Sequence, residues 1–445
     1  MFDLNLDPGV IALVVFGIMI VFWCLDRLPM AFVAMAGCVT CVLLKVCSLP
    51  QAMFGFTNDL IFLVAGMEIV GIALFQVGLA SLVGRVVLKL AKDDEKRLMI
   101  ISFCAAAVMS AFLSNMTVVI FFLVIFRSVA KTSDHIDRKN VTLPMIAGAI
   151  TGGSCTLIGS TPQLAAQSVI ERQEGMEAFK MFDFTPLGIP VVIVTGLALY
   201  FYGYGHGKRM WARAAARKGG TIAGPVAGAL EPAGKEGKDA IDLTQPVPDR
   251  KKLYIMGGIM VLLLTLMVSE VVTVGTAAMT AGLLSIVTGC VTQKRAFAEM
   301  NWNVVIWLAG CFGIANIMDI SGGTALMTTA ITSVIPAGIP PYLFFAIVTF
   351  VCMVVTQLMS NTACVLVFMP IFLPMAAALG ISPYPIAMGV IYGSSLAFAT
   401  PLASAQIGMA LTVGHNFREI VQYGVLIHVI MYITVIAVIP LFYPF

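Results

Sequence analysis

Phe112-Leu113-Ser114-Asn115-Met116-Thr117 and Leu358-Met359-Ser360-Asn361-Thr362-Ala363 each set a Ser-Asn pair in the middle of a long apolar run, at 98–128 and 341–371. A helix that simply crosses a bilayer has no use for two strong N-capping residues at its centre. A chain that turns back inside the membrane needs them to start its return arm. Both runs are therefore read as re-entrant helical hairpins with Ser-Asn at their tips. Downstream of each, a second apolar run, 141–171 and 384–411, is broken by Gly159-Ser160-Thr161-Pro162 and by Ala399-Thr400-Pro401. Proline removes a backbone donor and clashes one turn back, and Thr-Pro is a natural cap and first residue for a new half-helix.

The rest of the chain fits this setting. Its 445 residues are 60% hydrophobic and only 11% charged, too little polar surface to cover a soluble globule of that size. Hydropathy predicts further helices near 9–25, 29–46, 58–84 and 184–203, then near 253–269, 273–291, 302–333 and 419–443. Between the two sets, 204–252 turns to Gly, Ala, Pro and charge and reads as a cytoplasmic linker joining repeats at 1–203 and 253–445. Three blocks recur in order. Leu60–Ala80 matches Val304–Thr324 at an offset of 244, Ser114 meets Ser360 at 246, and Thr161 meets Thr400 at 239. The expected fold is an all-α polytopic membrane protein of two inverted-topology repeats, with about ten crossings, two re-entrant hairpins and two broken helices.

The positive-inside rule supports that count. With both termini outside the inner membrane, all but three of the 26 basic residues fall in the cytoplasm, the exceptions being Lys45, Arg172 and Lys180. Asp3 and Asp7, with no base before the first apolar run, argue against a cleaved signal peptide. An odd number of crossings per repeat makes the repeats antiparallel, so the tips approach each other near the midplane.

The tips carry the chemistry. A half-helix starting at Ser-Asn presents free N–H groups and the positive end of its dipole, which receives an anion without any basic side chain. Neither tip nor either break contains a Lys or Arg. The same elements offer hydroxyl, amide and carbonyl oxygens for a hard monovalent cation, and Ser110 and Thr356 each lie one turn before a tip serine. Small polar residues in membrane helices also bond neighbouring helices. Their repetition beside paired helix breaks points instead to a transport site.

Glu68 lies inside its helix and is unmatched by the repeat, which has Phe312. A proton carrier and a structural partner for a hydroxyl or amide are both open readings. Asp319 lies nearer an interface and reads as solvated or capping, and His428 as a packed interhelical donor. The ten cysteines sit mostly in apolar runs without ligand spacing and read as core residues. A membrane-embedded enzyme needs clustered acids or a nucleophile with a base, and His135, His206, His415 and His428 are scattered without such partners. A channel needs charged rings or a carbonyl filter, and neither occurs. No nucleic-acid partner and no organic cofactor is expected.

The Ser-Asn hairpins followed by Gly-rich, Thr-Pro-broken helices resemble the divalent anion/sodium symporter (DASS) family of the ion transporter superfamily, over nearly the whole chain. The resemblance implies a homodimeric elevator transporter in which sodium drives uptake of di- or tricarboxylates or sulfate, or in which anions exchange. It implies a first sodium site at Ser110, Ser114, Asn115 and the backbone near Gly159. A second would use Thr356, Met359, Asn361 and the backbone of Ala399. Substrate would meet Asn115, Ser160, Thr161, Asn361, Thr362, Thr400 and Pro401. Two departures narrow the substrate. Met116 stands where the family offers a hydroxyl, and a thioether cannot donate to an oxyanion, which favours a singly headed or asymmetric anion such as a sulfonate. Pro162-Gln163-Leu164 replaces the family's Pro-Pro-Asn. An extra N-terminal span of many relatives is expected to be absent. The alternatives are an anion exchanger and a cation/proton antiporter of the same superfamily, the latter supported by Glu68.

Overall fold

The computed structural model describes residues 7–25, 28–92, 94–132, 136–171, 173, 176–217, 250–269, 271–332, 339–357, 359–401 and 403–445. All regular structure among these residues is helical. Asp59–Gln76, Thr185–Trp211, Arg250–Ser269, Trp302–Ile320, Asn361–Ala378 and Phe417–Phe442 are long and apolar enough to cross a bilayer, at 18 to 27 residues each. At a rise of about 1.5 Å per residue they reach roughly 27–40 Å, against a hydrocarbon core of about 30 Å.

The hairpins form where the Ser-Asn pairs require them. Glu95–Ser110 runs in, the chain turns through residues 111–114, and Asn115–Thr132 runs back. The second pair is Pro341–Val355 and Asn361–Ala378. Asp94 caps the first hairpin's entry, its carboxylate accepting from the Arg97 N–H at 2.9 Å. The first broken helix is Arg138–Gly153, an irregular stretch, then Thr161–Ile170 with Pro162 in its first turn. In the second, Pro383–Ser395 is followed by a longer irregular stretch, and helix resumes only at Ala405. Thr400-Pro401 does not start that half-helix as the sequence implied. Ser404 takes the capping position, its hydroxyl accepting from the Ile407 N–H at 3.4 Å.

Two expected helices divide. The runs at 58–84 and 302–333 are each interrupted by a left-handed glycine, Gly78 at φ 89° and Gly322 at φ 81°, which are equivalent at the 244 offset. Glycine adopts this conformation without a Cβ penalty and so ends a helix. Leu79–Ala91 and Gly323–Thr332 then run as separate short helices. The chain is also helical beyond 203: a π-turn at Leu199–Gly203 leads into Tyr204–Arg217, and most of the expected linker lies outside the described residues. Buried Glu95 anchors this helix, accepting from the Tyr204 hydroxyl at 2.8 Å and also from the Asn140 amide and the Asp137 N–H, each at 2.8 Å.

Packing repeats as the sequence does. The entry arm of each hairpin lies on the first half of the next broken helix, and in both repeats the contact is made by glycines four residues apart. A Cβ added to Gly148 or Gly152 would overlap the carbonyls of Phe103 and Ala107, and one added to Gly389 or Gly393 would meet Thr349. Small residues at this spacing let helix backbones touch, the main source of cohesion between helices in lipid. The repeats also exchange partners. Asp59–Gln76 packs on Val274–Val287, with Gly66 against Ala278, and Trp302–Ile320 packs on Met30–Leu43, with Gly310 against Ala34. Both residues of each pair are equivalent at 244, so the contacts are reciprocal, as a two-fold relation between repeats demands.

Candidate functional site

A cavity of about 720 Å³ opens between the two tips. Ser114, Asn115, Met116 and Thr117 line it from the first hairpin, Ser360, Asn361 and Thr362 from the second, and Gly159 to Pro162 from the first break. Its remaining wall is largely apolar, with Leu63, Val64, Met67, Phe75, Phe112 and Phe121. The two repeats meet there directly, the hydroxyls of Thr161 and Thr362 lying 3.0 Å apart.

Behind the first tip, the Asn115 side-chain amide is surrounded by the Ser110 hydroxyl and the carbonyls of Ala149 and Gly159. Gly153 makes room for it, since a Cβ there would overlap the amide. Which amide atom faces inward is assigned from this network. With nitrogen inward, it donates to the Ala149 carbonyl at 3.2 Å and the Gly159 carbonyl at 3.0 Å. With oxygen inward it would face only acceptors apart from the serine proton, so nitrogen inward is the orientation that its neighbours satisfy. The oxygens gathered around it are one hydroxyl and two backbone carbonyls, hard donors of the kind that suit a monovalent cation. At the tip itself Ser114 caps the return arm. Its hydroxyl lies 2.6 Å from that of Thr117 and accepts from the Thr117 N–H at 3.4 Å, so the two hydroxyls sit together at the tip.

The second tip repeats part of this. Thr356, buried like Ser110, donates to the Asn361 side-chain oxygen at 2.9 Å and contacts the Ser394 carbonyl at 3.1 Å. Met359 and Ala399 are buried and, like Ser110, Thr356, Thr400 and Pro401, are not on the cavity lining. Here the break is held differently. Gln357 accepts from the N–H groups of Ala399 and Thr400, both at 3.1 Å, and its carbonyl accepts from the Thr400 hydroxyl at 2.8 Å. Its amide nitrogen lies 3.2 Å from His428 Nε2, whose Nδ1 is 2.8 Å from the Leu396 carbonyl. These distances fit a neutral His428 that donates through Nδ1 and accepts through Nε2. His428 is thus an interhelical partner, and Asp319 accepts from the Thr324 hydroxyl at 2.7 Å beside a helix start.

Sequence reasoning missed two glutamines. Gln357 ties the second break, and Gln163 ties the first, bonding the Ser160 hydroxyl and donating to the Gly153 carbonyl at 3.1 Å. Each stands within a few residues of a tip or a break in otherwise apolar surroundings, where a primary amide needs a partner. That was the available signal. Glu68 lies on the cavity wall, as does Asn301. No Lys, Arg or His is among the described residues that line the cavity.

The family model described as citrate transporter (CitMHS) matches residues 20–368. An uncharacterized transporter of Mycobacterium tuberculosis is 22% identical over 94% of this chain and 95% of its own. The uncharacterized transporter YfbS of Escherichia coli is 28% identical over 47% of this chain, and human Na(+)/dicarboxylate cotransporter 3 is 27% identical over 31%. The matches span only 36% and 23% of those two longer relatives. The fold resembles the crystal structure of the Alcanivorax borkumensis YdaH transporter, described as having an unusual topology, with a TM-score of 0.60 at 14% identity over 98% of each chain.

Proposed function

The chain belongs to the citrate transporter family, and from that premise we propose that it is a secondary active transporter that carries a small organic or inorganic anion, a carboxylate, sulfonate or sulfate, by sodium-coupled symport. The observation that carries this reading is the cavity between two helix starts, Asn115 and Asn361, with no basic side chain among the described residues of its wall. Two N-terminal dipoles and their free N–H groups supply what a lysine or arginine would otherwise supply.

In this reading substrate meets Asn115, Ser160, Thr161, Asn361 and Thr362, while Thr400 and Pro401 shape the second break from outside the wall. Sodium is held by Ser110, Ser114, Asn115 and the Gly159 carbonyl, and at the second tip by Thr356, Met359, Asn361 and Ala399. The oxygens crowded around the Asn115 amide support the first of these sites, and the name of the cotransporter relative supports sodium as the driving ion. Bound sodium supplies the positive charge that the wall lacks, so ion and anion favour each other's binding. Repeats at 1–203 and 253–445, a cytoplasmic linker at 204–252, both termini outside the inner membrane, a homodimer and an elevator motion complete the proposal.

The test is uptake of labelled succinate, citrate, sulfate, short sulfonates and monocarboxylates into proteoliposomes with and without an inward sodium gradient. Sodium-dependent uptake that falls by at least about tenfold in Asn115→Ala and in Asn361→Ala is expected, the scale of one lost charge-assisted hydrogen bond. Uptake that ignores sodium but needs internal anion would replace symport with exchange. Glu68 in the cavity favours one further reading, a cation/proton antiporter, which would show sodium-driven proton movement, lost in Glu68→Gln, and no anion uptake.

A further inference from the structure

The two ends of the cavity are chemically unequal, and the inequality names a substrate class. At the second tip the Ser-Asn motif continues with Thr362, whose hydroxyl lies 3.0 Å from that of Thr161. At the first it continues with Met116, and Thr117 is turned back onto Ser114. The position after Ser-Asn thus carries a hydroxyl that can donate to an acid at the second tip and a thioether that cannot at the first.

Glu68 lies on the cavity wall, on a helix that packs against the first hairpin. Glu68, Gly71 and Phe75 share one stripe of Asp59–Gln76. A Cβ on Gly71 would meet the Leu113 side chain of the first tip at 3.5 Å, and the rings of Phe75 and Phe121, the latter on the first return arm, lie 5.8 Å apart. The repeat-equivalent residue is Phe312, which is buried in the core and does not line the cavity. The only other charged residue among the described wall residues, Glu299, is engaged by Arg295 at 2.6 Å, whereas no ion pair engages Glu68 among the described residues. A carboxylate facing the cavity repels a second acid and attracts an ammonium.

We propose that the transported anion carries an ammonium group, as an ω-amino carboxylate or ω-amino sulfonate does, with its acid at Asn361, Thr362 and Thr161 and its ammonium at the Glu68 carboxylate. This rests on the anion-symport reading above.

The test uses the full chain in proteoliposomes under a sodium gradient and compares labelled β-alanine and taurine with propionate, which lacks the ammonium, and succinate, which replaces it with a second acid. The expected result is uptake of β-alanine or taurine at least about tenfold more efficient than that of propionate or succinate, the scale of one hydrogen bond to a charged group. In Glu68→Gln the ratio to propionate collapses to within about threefold, and Met116→Thr shifts preference towards succinate. Succinate or propionate entering with sodium as well as β-alanine would overturn this inference and leave symport standing. A ratio unchanged in Glu68→Gln, with loss only of a pH-gradient effect, would overturn it in favour of a proton carrier. Entry of none of the four, with citrate and sulfate also excluded, would remove the symport reading itself. If Glu68→Gln does not fold, the wild-type ratio and the shift in Met116→Thr decide between these outcomes.

Discussion

Asn115 and Asn361 occupy equivalent places in the two motifs and are bonded by equivalent hydroxyls, Ser110 and Thr356, five residues earlier in each case. Their neighbours are not equivalent. Gln357 fills both of its amide's roles at once, accepting from Ala399 and Thr400 and donating towards Met353 and His428. Gln357→Ala leaves two backbone N–H groups without their acceptor, at a cost of about 1–3 kcal/mol. Thermal melting in detergent should show a lowered midpoint for Gln357→Ala and an intermediate one for Gln357→Glu, which keeps the acceptor and loses the donor. Equal midpoints for wild type and Gln357→Ala would mean that the second break is held by other contacts. The Ser-Asn pairs were legible in the sequence because capping chemistry is local to three or four residues. Gln357 was not, because its partners come from residues about 40 and 70 positions away.

Helices here are joined by what they lack. Gly152 and Gly393 give the entry arms of the two hairpins a surface to lie on, and each would drive a Cβ into a neighbouring carbonyl, of Ala107 and of Thr349 respectively. Overpacking a tight contact costs about 1–3 kcal/mol, and more where backbone must move. Gly152→Val and Gly393→Val should therefore both lose most of their monodisperse protein on size-exclusion chromatography. Gly17→Val, which has open space around it, should elute like wild type. A normal profile for either of the first two would show that the arms can separate without loss of fold. Element existence was readable from apolar runs, but two boundaries were not. The run after Gln76 stays rich in Leu and Val, so hydropathy passes smoothly over a turn that only the backbone angle of Gly78 reveals. Thr400-Pro401 has the composition of a helix start, yet the Thr400 hydroxyl is taken by the Gln357 carbonyl and the start passes to Ser404.

On the scale of the molecule, the duplication was visible as three ordered matches, and its geometric consequence was not. Nothing in a sequence offset says that each repeat packs on the other's equivalent helix, as Gly66 does on Ala278 and Gly310 on Ala34. The charge distribution, by contrast, makes a claim about the whole chain that can be checked simply. A C-terminal alkaline phosphatase fusion should be active, and a cysteine placed within 218–249 should react with a membrane-impermeant maleimide only after the cells are opened. An inactive fusion with a freely labelled linker would invert the orientation. The exchanged contacts also bear on how the protein is made. Ala34 leaves the ribosome 276 residues before Gly310, and at about 5–20 residues per second that gap is roughly 10–60 s. Throughout that interval the first half has crossed or entered the membrane with its closest-packing faces turned to lipid or to the insertion machinery. A second copy of the same half offers the same faces. Synthesis at high density therefore carries an intrinsic hazard of pairing between nascent chains, and slowing or crowding translation should raise the yield of interlocked, non-native dimers before it affects the finished transporter.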